Sequence, residues 1–123
     1  MAQADNFSHA ATILPVVDVQ RSVIFYTEKL GFDLTFSWEE PMTYAVLKRG
    51  GVSIHLTERE DHNTPSAQHC ILYIFVYDIE RIYEHCLQEE VEIKNSLGER
   101  DYAMKDFDIV DPDGYIITFG KGG

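Results

Sequence analysis

Polar and apolar residues alternate over Val52-Ser53-Ile54-His55-Leu56-Thr57. That period of two predicts a strand with Val52, Ile54 and Leu56 on one face and Ser53, His55 and Thr57 on the other. Upstream, residues 12–17 are mostly β-branched and read as an earlier strand running into Asp18. An aspartate there suits an N-cap, because its carboxylate can accept the orphan amide hydrogens of a first helical turn. Val19, Val23, Tyr26 and Leu30 then fall at i, i+4, i+7 and i+11, and Gly31 suits the C′ position. Residues 32–38, 43–48 and 52–57 read as three strands, the last two joined by the tight-turn signal Arg49-Gly50-Gly51.

The same order of elements is then written again. Residues 70–76 are apolar throughout, as a strand buried on both faces would be. Asp78 is placed to cap a helix in which Ile79, Ile82, Tyr83, Cys86 and Leu87 share one side. Strands are expected over 92–96, 103–110 and 115–120, with Asp111-Pro112-Asp113-Gly114 as the last turn. Asp18-Val19-Gln20-Arg21 recurs as Asp78-Ile79-Glu80-Arg81, 60 positions on, Tyr44-Ala45 as Tyr102-Ala103, 58 on, and Gly51 as Gly114, 63 on. The expectation is an α+β protein of two tandem βαβββ modules, about 11–58 and 69–121, in a single domain over 1–123. The polar stretch 59–68, with Pro65, reads as the linker.

Composition narrows the function classes. The 123 residues are 45% hydrophobic and 25% charged, an ordinary globular profile. With 21 acidic and 10 basic residues the formal net charge is −11. Nucleic acid and anionic membrane are therefore poor partners, and a cationic or neutral ligand is favoured. No run approaches the roughly 20 apolar residues of a membrane span. Residues 1–8 lack the basic-then-apolar order of a signal peptide. Cys70 and Cys86 lack CxxC spacing and read as buried free thiols in a reducing cytoplasm. There is no GxSxG elbow, activated cysteine or Gly-rich phosphate loop, so no catalytic residue is assigned.

The paired βαβββ order, the run from Asp18 through Phe25-Tyr26 to Leu30-Gly31-Phe32, and Asp111-Pro112-Asp113-Gly114-Tyr115 resemble the vicinal oxygen chelate superfamily over residues 12–121. That group includes glyoxalase I, extradiol dioxygenases, fosfomycin-resistance enzymes and bleomycin-resistance proteins. Phe36-Ser37-Trp38-Glu39, the segment from Tyr44 to Leu56, and the segment from Gly98 through Met104 to Phe107 look most like the bleomycin-resistance branch. The resemblance implies a cupped mixed sheet and an acidic homodimer that sequesters a cationic drug between subunits, with no catalytic metal.

Enzymes of the superfamily place His or Glu metal ligands on the first and last strands of each repeat. The resemblance puts those positions at Ala11, His55, Ile71 and Thr118, of which His55 alone is a strong donor. About three protein donors are typical of a catalytic divalent site. No metal or cofactor is therefore expected. His9 and His69 each lie two residues before a candidate position and could reach the cavity only through a shift of register. His62, in the linker, and His85, on a helix, read as surface residues.

On the cavity side, Ser53, His55 and Thr57 are expected to join Ile13, Pro15, Ile71, Tyr73, Phe75, Ile116 and Thr118 in an apolar cup with a few polar groups. Trp38 and Tyr102 would stack on planar rings at its rim, beside Glu39, Glu40, Glu99 and Asp101. Phe36, Trp38, His55, Tyr73, Tyr102, Met104 and Thr118 are the expected ligand contacts. The leading reading is a non-catalytic binder of a cationic or aromatic, bleomycin-like small molecule. A metal-dependent glyoxalase- or dioxygenase-type enzyme and a binder of an unknown metabolite are the alternatives. Residues 1–9 are polar and could be exchanged between subunits, which the sequence leaves open.

Overall fold

The computed structural model describes residues 6–59 and 70–122. The expected linker at 59–68 lies almost wholly outside the described residues, as do His62, His69 and the start of the N-terminal arm.

The elements run β1 (Thr12–Val16), α1 (Val19–Ile24), a π-helical segment (Phe25–Lys29), β2 (Asp33–Trp38), β3 (Tyr44–Arg49) and β4 (Val52–Glu58), then β5 (Cys70–Phe75), α2 (Ile79–Gln88), β6 (Glu92–Glu99), β7 (Met104–Val110) and β8 (Ile116–Gly122). They form two four-stranded mixed sheets, ordered β1-β4-β3-β2 and β5-β8-β7-β6. In each the first strand runs parallel to the last, and the other ladders are antiparallel. This is the expected pair of βαβββ modules.

The repeat survives at the level of single residues. Ile13 pairs with His55 and Leu14 with Leu56. Tyr73 pairs with Thr118 and Ile74 with Phe119. The offsets are 60 on the first strand of each module and 63 on the last. Asp18 and Asp78 both cap as expected, accepting from Arg21 N at 3.1 Å and Arg81 N at 3.2 Å. Such a cap contributes about 1 kcal/mol.

One proposed repeat pair is not kept. Tyr44 lies opposite Thr57, and Asp106 lies opposite Gly120. The counterpart of Tyr44 is thus Asp106, because Tyr102 and Ala103 belong to the loop before β7 rather than to the strand.

The core lies where the sheets' inner faces meet the helices: Leu14, Val16, Leu47, Ile54 and Leu56 from one module, Phe107, Ile109, Ile117 and Phe119 from the other. The first helix departs from a continuous α-helix after Ile24, and in the wider turn both Phe25 and Tyr26 are buried, edge to face at 5.1 Å. The modules are joined by the turn before β8. Tyr26 Oη donates to Asp111 Oδ2 at 2.7 Å. Asp113 accepts from Val17 N at 2.9 Å and Ser22 Oγ at 3.2 Å, and its carboxylate lies 3.3 Å from the Arg21 guanidinium. Burial pushes the Asp111 carboxyl above its ordinary range, against the bonds from Tyr26 and the backbone, and raises the Tyr26 phenol as well.

Two expectations fail at β5. It is an edge strand and is not buried on both faces: Phe75 is 73% exposed and Cys70 is exposed. Its outer face meets an open groove rather than a second layer. Cys86, in contrast, is buried, and burial pushes its thiol up to about 11. β6 also runs to Glu99, past the expected end at residue 96, with irregular pairing to β7 on either side of Asn95.

Candidate functional site

The outward face of the first sheet carries two rows that cross all four strands. One is Ile13, His55, Val46 and Phe36; the other is Pro15, Thr57, Tyr44 and Trp38. Cross-strand partners share a face, so each row is one contiguous strip. The inner rows bury Leu14, Ala45, Leu47 and Leu56 instead. Phe36 is 50% exposed and Trp38 is 60% exposed. Trp38 ends β2, and its carbonyl accepts from Thr43 N at 3.0 Å, which closes the loop holding Glu39 and Glu40.

His55 lies within this face, half-buried. Its Nδ1 is 2.6 Å from the Tyr44 hydroxyl, and the two rings meet edge to face at 5.6 Å. A hydroxyl bridging to Nδ1 orients the imidazole and leaves Nε2 as its free polar atom. Ser53, one step along the same side of β4, is buried with its hydroxyl unpartnered. It borders an open groove of about 740 Å³ with Ala11, Ile71, Tyr73 and Phe75.

The outward face of the second sheet is more polar. Its rows are Tyr73, Thr118, Asp108, Asn95 and Phe75, Gly120, Asp106, Gly98. Asp106, 2% exposed, is the hub. Its Oδ2 accepts from Tyr73 Oη at 2.9 Å and Tyr102 Oη at 2.7 Å, and its Oδ1 from Arg100 Nε at 2.7 Å. Arg100 also donates to the Ser96 and Asp106 carbonyls.

Glycine on either side of Asp106 makes this possible. A Cβ on Gly120 would sit 2.1 Å from the Tyr73 hydroxyl, and one on Gly98 would sit 3.1 Å from an Arg100 guanidinium nitrogen. Burial of Asp106 opposes its ionisation, but the bonds from Tyr102, Arg100 and Tyr73 outweigh it and hold the carboxyl below the usual range. Both phenols are raised, Tyr73 chiefly by burial and Tyr102 chiefly by its bond to Asp106. Beside the hub, Asp108 accepts from Thr118 Oγ1 at 2.6 Å and Asn95 Nδ2 at 2.5 Å.

The expected site residues therefore fall into two groups. Phe36, Trp38 and His55 share the first face. Tyr73, Tyr102, Met104 and Thr118 belong to the second, Tyr102 being 62% exposed and Thr118 buried. Among the described residues no hydrogen bond, ion pair or ring contact joins the groups within one chain. Sequence reasoning missed Arg100 and the hub role of Asp106. The available signal was a glycine inside each flanking strand, which marks a close approach.

The donor set does not fit a catalytic metal. Ala11 and Ile71 have no side-chain donor, the Thr118 hydroxyl is spent on Asp108, and His55 Nδ1 is engaged by Tyr44. Among the described residues no group of three or more His, Cys, Asp or Glu is placed to hold a metal ion. His9 is exposed and bonded to Ser8. His85 is exposed, with Nε2 2.9 Å from the Lys29 carbonyl.

A family model described as the Glyoxalase/Bleomycin resistance protein/Dioxygenase superfamily matches residues 6–119. The chain belongs to that superfamily. Within the superfamily, a bleomycin resistance protein of Geobacillus stearothermophilus is 30% identical over 122 residues, covering 86% of this chain and 90% of the relative. The fold matches TioX from Micromonospora sp. ML1 with a TM-score of 0.79 at 18% identity, covering 95% of this chain and 100% of that one. It also matches the bleomycin-binding protein of Streptomyces verticillus, a structure complexed with copper(II)-bleomycin, with a TM-score of 0.77 at 24% identity, covering 98% and 99%.

Proposed function

We propose that this superfamily member is a non-catalytic small-molecule-binding protein that sequesters a cationic, aromatic ligand resembling bleomycin in cavities between the subunits of a homodimer. The observation that carries the reading is the exposure of Phe36, Trp38 and Tyr102 on open sheet faces, beside acidic residues. Phe36 and Trp38 lie in adjacent rows of one face, and soluble chains rarely leave such apolar surface uncovered unless something binds there. Flat rings flanked by Glu39, Glu40, Glu99 and Asp101 attract a planar cation by dispersion, cation–π and Coulomb terms together. Tyr102 cannot swing freely, because Asp106 holds its hydroxyl; the hub presents the ring as a fixed platform.

Among the described residues no hydrogen bond, ion pair or ring contact joins the two groups of site residues in one chain, so a dimer that opposes the first face of one subunit to the second face of the other would complete each cavity. His55 Nε2 would then offer the ligand a polar contact within an otherwise apolar strip. The non-metal reading is supported by the donor chemistry at Ala11, Ile71 and Thr118, and by similarity to bleomycin resistance proteins. The protein would act in the cytoplasm. No helix among the described residues is long and apolar enough to cross a membrane. Titrating bleomycin while following Trp38 fluorescence tests the ligand class: a saturable change at micromolar drug is expected, and none removes it. Sedimentation equilibrium tests the dimer.

A further inference from the structure

The repeat creates two joints between the modules, and only one is sealed. At the first, α1 meets the turn before β8, where Asp113 receives Val17 N, Ser22 and Arg21, and Asp111 receives Tyr26. At the second, α2 meets the turn before β4. The offset of 60 makes Tyr77, Arg81, Ile82 and Cys86 the counterparts of Val17, Arg21, Ser22 and Tyr26. This turn is one residue shorter, so Asp113 corresponds to Gly50 counted from β4 and to Gly51 counted from β3. By either count the carboxylate is missing. Counted from β3, Asp111 is replaced by Arg49, a reversal of charge.

What remains is a cavity of about 330 Å³ bounded by Gly50, Gly51, Tyr77, Asp78 and Arg81, with Phe32, Ile74 and Phe119 among its apolar walls. Phe75 of the second face lines it too, but Phe36, Trp38 and Tyr102 are not among the described residues that do. The Tyr77 amide and the Arg81 guanidinium make no hydrogen bond or ion pair among the described residues, whereas their counterparts both hold Asp113. Arg49 lies on the same rim and spends one nitrogen on the Leu30 carbonyl at 2.6 Å. Among the described residues the one acidic lining group, Asp78, already caps α2, just as Asp18 caps α1 beside the Asp113 site.

We infer that this second joint binds a small organic monocarboxylate with an apolar body. Its carboxylate takes the place that the Asp113 carboxylate fills in the first joint, held by Tyr77 N and Arg81. Its hydrocarbon part fills the apolar walls. The site recognises an anion, whereas the aromatic faces favour a cation.

3-Phenylpropionate is the probe, with 3-phenylpropanol as its neutral match, read by amide chemical shifts and calorimetry on the full chain. The acid is expected to bind saturably with Kd below about 1 mM and to shift the Tyr77 and Arg81 amides. Binding should be about tenfold tighter than that of the alcohol, as a charge-assisted contact requires. Arg81→Gln, at an exposed position, should remove that preference while leaving the alcohol unchanged. Gly50→Asp, at a φ of +55° that aspartate tolerates, with no atom within 4 Å of its Cβ, should block the acid by supplying the carboxylate from within. Trp38→Ala should leave acid binding unaltered, so this test fails or succeeds independently of the aromatic faces. No saturable binding, equal affinity for acid and alcohol, or an unchanged preference in Arg81→Gln overturns the inference.

Discussion

Tyr102 Oη donates to Asp106 Oδ2 at 2.7 Å, so an exposed ring of the second face is anchored to its most buried carboxylate. Asp106→Asn should remove the Arg100 ion pair and loosen both tyrosines, costing about 2 kcal/mol, in the range for hydrogen bonds to a charged group. The pH dependence gives a separate check. The folded-state carboxyl lies below its unfolded value. Its contribution is therefore present above the ordinary carboxylate range and is lost as pH falls through the folded pKa. Urea unfolding should show the gap between wild type and Asp106→Asn narrowing from pH 7 to pH 3. A gap that does not change with pH would mean that the charge of Asp106 contributes nothing.

Tyr26→Phe should destabilise the joint between modules by about 1–2 kcal/mol, since it leaves a buried carboxylate short of a donor. The sign of the pH effect differs here. The Asp111 carboxyl is raised in the fold by burial, so its own contribution is present below the unfolded pKa and lost as pH rises through the folded one. The Tyr26 bond opposes that rise. Removing it raises the folded pKa further, and the variant's deficit should grow with pH across the folded pKa values. Thermal melts between pH 4 and pH 8 would show it; a deficit that shrinks over that range would contradict the assignment.

Much of this was legible in the sequence because it is local. The capping aspartates, the apolar helix faces and the alternation along β4 each depend on neighbouring residues, and all are present. The exposure of Trp38 and Tyr102 was legible for the same reason, since both lie beside polar loop residues. The Asp106 hub was not. Asp106 and Asp108 stand out in the sequence as the carboxylates at interior positions of the seventh strand, but nothing local shows that Tyr73 of β5 and Arg100 and Tyr102 of the loop before β7 converge on Asp106. The exposure of β5 was hidden for the opposite reason: an apolar edge strand bordering a groove has the composition of a central one. Cys70, on the same strand, is exposed for the same reason.

Ser53→Ala tests the orphaned hydroxyl. Burying it without a partner costs about 1–3 kcal/mol, so its removal should leave stability unchanged or raise it by about 1 kcal/mol. The same variant should weaken binding of any ligand that reaches the groove. Chemical denaturation with and without bleomycin separates the effects; a clear loss of stability in the free protein would mean that the hydroxyl is satisfied.

His55→Ala should weaken ligand binding several-fold and leave the metal content of the purified protein unchanged. Calorimetry and elemental analysis on the same preparation check both. Loss of a stoichiometric metal on substitution would restore His55 as a ligand and overturn the non-catalytic reading.

The most direct measurement is complementation between subunits. Trp38→Ala and Tyr102→Ala homodimers should each bind bleomycin at least tenfold more weakly than wild type, because each cavity lacks one stacking ring. In a mixed dimer of the two variants, one cavity loses both rings and the other keeps both. Calorimetry should then find wild-type affinity at half the wild-type stoichiometry. A mixed dimer that binds no better than either parent would contradict a cavity shared between subunits.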